Sequence, residues 1–252
     1  MKRVRIARLM MTVFVTFGAV WAAHTPQAQA GSPVGVNADA ESLASIARGA
    51  RLYDKWYKVL DQKPPQASHP AYPASAKYAN EPKSNWRCKE CHGWDGKGKD
   101  GAYAAGKHHS GIVGVRGMLG KQPAQVAAVV SDATHGYGAH LSASDLHDLG
   151  MFLTQGQLDM DALIDGAAKA PKQADATQGG LYYATLCAQC HGKVGIAKGM
   201  PIMGKVANSN PWETLHKIQF GQPGAEMPAL LALDMQISLD ILAHLQTLPQ
   251  KK

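Results

Sequence analysis

The sequence predicts an all-α chain in which one arrangement of helices occurs twice. Two observations carry this. Apolar residues recur at helical spacing ahead of and behind a central motif, and that motif, Cys-x-x-Cys-His, occurs at Cys88-Lys89-Glu90-Cys91-His92 and again at Cys187-Ala188-Gln189-Cys190-His191. The order in each half is helix, pentad, loops, helix. At 252 residues the chain has the length of two ordinary domains, each able to bury a modest core.

The N-terminal segment 1–30 reads as a secretory signal peptide. Lys2, Arg3, Arg5 and Arg8 precede an apolar run from Leu9 to Ala23, and Ala28-Gln29-Ala30 offers a small-residue cleavage site. The run is shorter than the roughly 17 to 25 residues that cross a bilayer, so the expected product is an exported protein with no transmembrane span. Four of the 26 Lys and Arg leave with that segment while all 19 Asp and Glu stay, so the net charge falls from +7 to +3. A polybasic nucleic-acid binder is thereby set aside, because much of the basic excess lies in a segment that is removed.

The first domain is expected over 31–160. Its opening helix carries Leu43, Ile46, Ala50, Tyr53, Tyr57 and Leu60 on one face. A proline-rich insertion follows, about 61–86, where Pro64, Pro65, Pro70, Pro73 and Pro82 argue for an ordered loop and against helix. A middle helix is expected from Pro123 to Val130. The last one is expected from Ser144-Asp145-Leu146 through Leu153, with the serine and acid that a helix N-terminus prefers at its start. Residues 161–177, small and charged, read as a linker. The second domain, 178–252, repeats the plan with Pro211 to Ile218 as its middle helix and Ile241, Leu245 and Leu248 on the face of its last. Gly49-Ala50-Arg51-Leu52-Tyr53 matches Gly179-Gly180-Leu181-Tyr182 loosely.

All four cysteines lie in the two pentads. Two disulfides, a redox dithiol or half a zinc site would each use Cys-x-x-Cys, but the histidine that closes both motifs points to c-type haem attachment. On a helical turn the positions i, i+3 and i+4 share a face, so two thiols and an imidazole converge on one porphyrin edge. Cys88, Cys91 and Cys187, Cys190 would form thioethers, and His92 and His191 would bind the irons of two covalently bound haem c groups.

With those motifs in place the second half resembles a class I cytochrome c, and the whole chain resembles tandem dihaem members of that family. The resemblance implies two all-α cytochrome c domains, each wrapped on one haem. It makes Met227, in Gly221-Gln222-Pro223-Gly224-Ala225-Glu226-Met227-Pro228, the distal ligand of the second haem, with Met200 and Met203 in reserve. It also makes Pro201 the residue whose carbonyl orients His191. The corresponding first-half loop, Ala133 to Leu141, holds no methionine. Spacing favours His135 as its distal ligand, because it stands seven residues before Ser142 and leaves a loop to cross the haem, whereas the alternative, His140, stands two before. Met118 is a third candidate. No proline matches Pro201 there, and His108 and His109 read as solvated loop residues.

These ligand sets imply an electron carrier, with electrons passing from haem 1 to haem 2 and with periplasmic or membrane-bound redox proteins as donor and acceptor. No catalytic residue is assigned. Lys83, Arg87, Lys89, Lys97, Lys99 and Lys107 outnumber the acids around the first pentad and read as a solvated face able to steer an acidic partner. Trp86 and Trp94 read as packing residues. Two other classes remain open: a haem enzyme acting at haem 1, on a sulfur compound or peroxide, and a redox subunit of a membrane respiratory complex. Thiosulfate dehydrogenases share the tandem plan but use a distal cysteine, and this sequence has none to spare.

Overall fold

The computed structural model describes residues 39–251 and is mostly helical. The expected signal segment lies outside the described residues. Helix α1 (Ala40–Val59) is capped by the Asp39 carboxylate and interrupted at Lys55. Short helices α2 (Pro82–Asn85) and α3 (Cys88–His92) lead to α4 (Pro123–Val130) and α5 (Ala143–Met151), which runs on into a π-helical turn at Phe152–Gly156. A one-turn α6 (Met160–Leu163) precedes a two-residue antiparallel pairing of β1 (Ile164–Asp165) with β2 (Ala170–Pro171). The second half holds α7 (Ala176–Leu186), α8 (Ala188–His191), α9 (Met203–Ser209), α10 (Pro211–Phe220) and α11 (Met235–Thr247). Among the described residues no helix is long and apolar enough to cross a membrane.

The same crossing of first and last helix is built twice, and glycine makes both possible. α1 packs on α5 and α7 on α11. A Cβ on Gly49 would fall 1.9 Å from the carbonyl oxygen of Asp148, and one on Gly179 would fall 1.9 Å from that of Asp240. Four residues after each glycine a tyrosine hydroxyl donates to the glycine that ends the pentad helix: Tyr53 to the Gly93 carbonyl at 2.7 Å, Tyr183 to the Gly192 carbonyl at 2.6 Å. Tyr53 therefore corresponds to Tyr183. The sequence match to Tyr182 was one residue out of register, and on a helix one residue turns a side chain by about 100°. The tyrosine and its glycine are 40 residues apart in the first half and 9 in the second, which measures the insertion.

The insertion is loop and turn through its proline-rich part, as its composition implies, but it ends in a helical turn, α2, where Pro82 takes the first position and loses no hydrogen bond there. The segment 161–177, read as a linker, contains all but the first residue of α6 and the β1–β2 pairing and buries Leu163 and Ile164. The core is continuous through both halves. At their junction the ring of His216 on α10 lies among Tyr53, Phe152, Trp94 and Phe220, with Nε2 donating to the Ala50 carbonyl at 3.1 Å. Beside it Asp54 of α1, fully buried, pairs with Arg87 and with Lys217 of α10, the latter at 2.6 Å.

Candidate haem-binding sites

Both pentads fold as a helical turn ended by a glycine with positive φ, 78° at Gly93 and 77° at Gly192, where any side chain would be strained. The backbone then returns in the same way: Gly98 N–H donates to the His92 carbonyl and Ala197 N–H to that of His191. All four cysteines are unbridged thiols. Burial pushes Cys88 and Cys91 up to about 12 and Cys187 up to about 11. A redox dithiol needs the opposite, a lowered thiol that is partly thiolate near neutrality.

In the first half two imidazoles face each other. The rings of His92 and His135 are 6.4 Å apart between centroids and inclined by 29°. Metal–imidazole bonds of about 2.0 Å, with about 1.1 Å from each nitrogen to its ring centre, would put the centroids of two trans imidazoles at about 6.2 Å. The centroid spacing is compatible with one iron shared by the two rings. No group of three or more His, Cys, Asp or Glu able to hold a metal occurs among the described residues.

Each ring is set by its other nitrogen. His92 Nδ1 donates to the Val113 carbonyl at 2.7 Å, and that carbonyl is placed by an antiparallel bridge between Val113 and Gly98. The support that Pro201 was expected to give in the second half, and for which the first half has no matching proline, comes here from a backbone carbonyl. His135 Nδ1 bonds Asp132 Oδ1 at 3.1 Å, and the same oxygen accepts the backbone N–H groups of Thr134 and His135. Nε2 is left free on both rings. His140 lies elsewhere, 5.2 Å from the rings of both Trp56 and Trp86, and Met118 sits half-buried in a 3₁₀ turn against the core.

The second pentad is more open. Cys187 and His191 are half-buried and Cys190 is exposed. His191 Nδ1 is buried with no partner, so the carbonyl of Pro201, an exposed residue, does not reach it in the way the resemblance implied. Leu181, Leu186, Val194 and Met200, on the stretch of chain that contains the pentad, are exposed apolar side chains. Met203 opens α9 and packs against the core. Met227 is half-buried in the loop after α10, its carbonyl so close to Gly221 that a Cβ there would come within 2.6 Å. That loop is tied to the first half, since Lys217 Nζ donates both to Asp54 and to Gln222 Oε1, each at 2.6 Å.

The basic residues around the first pentad are less free than composition implied. Lys89, between the two cysteines, is 4% exposed and pairs with Glu90 at 2.6 Å; Arg87 is spent on Asp54 and Lys97 on Asp161. His108, read as solvated, bonds the buried Glu90 at 2.7 Å and stacks on Tyr103. Lys83, Lys99 and Lys107 remain exposed. Trp86 and Trp94 pack as expected, Trp94 between the ammonium groups of Lys89 and Lys217 at 5.3 and 5.4 Å. Sequence reasoning missed three contributors: Val113, which acts through its carbonyl; Asp132, three residues before His135; and His69, in the insertion, whose Nε2 lies 3.0 Å from the His135 carbonyl.

No protein-family model and no curated protein matches the chain. Among solved structures it is similar to the thiosulfate dehydrogenase of Marichromatium purpuratum in its as-isolated form, at 19% identity and a TM-score of 0.23. The similarity covers 81% of this chain and 46% of that one, less than half of that chain's length, and at this level it assigns neither fold nor function.

Proposed function

We propose that the chain is an exported c-type cytochrome with two covalent haems that carries electrons between redox proteins. The single observation behind this is the pair of helical Cys-x-x-Cys-His turns, supported in the first half by the 6.4 Å separation of His92 and His135. Bound there, haem supplies reversible one-electron chemistry at iron. Cys88 and Cys91 would tether the first group between His92 and His135, and Cys187 and Cys190 the second beside His191, with Met227 as its distal ligand. Val113 and Asp132 hold the imidazoles by their Nδ1 atoms, which fixes ring orientation and ligand basicity.

Two imidazoles at the first site and an imidazole with a thioether at the second order the pair, because thioether ligation raises a potential. Electrons then enter at the first site and leave from the second. With His135 as its second imidazole the first haem would have no ligand position open, which supports a carrier over an enzyme working at that iron. The carrier meets its partners through small, short-lived contacts.

Purified protein should contain two haems per chain, both low-spin. His135→Ala should convert one to high spin while His140→Ala changes neither. The reverse result would overturn the ligand assignment, and a chain with no thioether-bound haem would overturn the function.

A further inference from the structure

We infer that His69 is a positioning residue for the distal imidazole of the first site: from the proline-rich insertion it holds the backbone carbonyl of His135 and keeps that ring opposite His92. The inference rests on reading His92 and His135 as the axial pair.

The contact is directional and enclosed. The Ala71 N–H donates to His69 Nδ1 at 3.2 Å, so that nitrogen is the acceptor and the ring proton sits on Nε2. Nε2 then donates to the His135 carbonyl at 3.0 Å. His69 is 6% exposed, with its ring 4.4 Å from that of Trp86 and 5.6 Å from that of Tyr137. Its own backbone is anchored in turn. The His69 N–H donates to Oδ1 of Asn85, a fully buried residue three before Cys88, and Asn85 Nδ2 donates to the carbonyls of Tyr78 and Ala79. Trp86 Nε1 closes the same seam on the Ala67 carbonyl at 2.8 Å.

On its C-terminal side the distal loop is also anchored by Tyr137, which is 5% exposed and donates to the Trp86 carbonyl at 3.2 Å, but its N-terminal side is not. Residues 131–134 are exposed, Gly136 has a positive φ, and the loop's own bonds converge on Asp132, itself exposed. The insertion thus runs from the segment before Cys88 to the loop on the far side of the site. In the second half, which lacks the insertion, the Met227 loop is held by the helix before it, through Lys217 on Gln222.

The test uses full-length holoprotein carrying His69→Leu, His69→Phe, His69→Gln or His135→Ala. Phenylalanine keeps the packing against Trp86 and Tyr137 but removes both the Nε2 donor and the Nδ1 that accepts from the Ala71 N–H, whereas a glutamine amide has a donor and an acceptor to restore them. Losing one hydrogen bond to a buried carbonyl should raise the rate of cyanide binding at the first haem about tenfold and alter its low-spin paramagnetic resonance signal, with the second haem unchanged. His69→Gln should return the rate to within about threefold of the original. Should His69→Leu fail to accumulate with two haems, His69→Phe must show the same rise. The inference is overturned if both variants bind cyanide at the original rate while His135→Ala opens the site, or if His69→Gln is as fast as His69→Phe. If His135→Ala leaves both haems low-spin, the axial assignment itself fails.

Discussion

Replacing Asp54 by asparagine should be among the costliest single changes in the molecule. The carboxylate is fully buried between Arg87 and Lys217, whose side chains are 15% and 18% exposed. At 2.6 Å and an effective dielectric constant of about 20, the attraction to Lys217 alone is about 6 kcal/mol before desolvation is counted. Breaking such a buried pair from one side costs about 3–5 kcal/mol, since it leaves the partner charges buried without compensation. At about 2–4 °C per kcal/mol for a chain of this size, the midpoint should fall by about 6–20 °C. Lys217→Met is the comparison, because it leaves Asp54 paired with Arg87 and should cost about half as much or less. Thermal unfolding of the holoprotein followed by circular dichroism at neutral pH measures both. Burial alone would raise the Asp54 carboxyl, but Lys217 and Arg87 outweigh it and hold it well below the usual carboxylate range. Its contribution is therefore present above the unfolded value of about 3.9 and lost as pH falls below it. An Asp54→Asn protein within 1 kcal/mol of the original would refute the reasoning.

Burial lowers His216 from 6.5 to about 4. The unfolded chain then takes up this proton first as pH falls, and about 3 kcal/mol of stability should be lost between those two values; His216→Phe should remove about one proton from the slope of stability against pH in that window, and an unchanged slope would disprove the assignment. Gly49→Ala and Gly179→Ala each drive a methyl group to 1.9 Å from a carbonyl oxygen and should cost at least about 1–3 kcal/mol, whereas Gly117→Ala, with nothing within 4 Å, should be near neutral in the same melts. Tyr53→Phe and Tyr183→Phe should each lose about 1 kcal/mol from the matching bonds to Gly93 and Gly192, and unequal losses beyond experimental error would argue against the equivalence of the two halves.

What the sequence made legible was local. Pro123 and Pro211 mark helix starts through their own backbone chemistry, and α4 and α10 begin where those residues place them, while α5 begins one residue before the expected Ser144, capped by Ser142. The pentads are legible for the same reason, since five residues hold the whole chemical requirement. Tyr182 and Tyr183 are adjacent and alike, so only the helix crossing at Gly179 decides which one reaches Gly192. The pairing of Lys89 with Glu90 and of Arg87 with Asp54 depends on burial, which residue composition does not encode. Val113 contributes a carbonyl, which every residue has, and His69 meets its partner 66 positions along the chain. The expected bond from Pro201 is not made, and His191 Nδ1 is buried without a partner.

The seam between the halves bears on how this protein can be taken apart. Residues 176–251 cut free would present His216 without the Ala50 carbonyl and Lys217 without Asp54, while the remaining part would keep a buried carboxylate answered by Arg87 alone. Duplicated units are often exchangeable parts, but here a transplanted second half would have to bring a complementary α1 with it. Ala50, Asp54, His216 and Lys217 therefore act as one structural unit, and a chimera that respects the repeat but splits those four should fail to assemble.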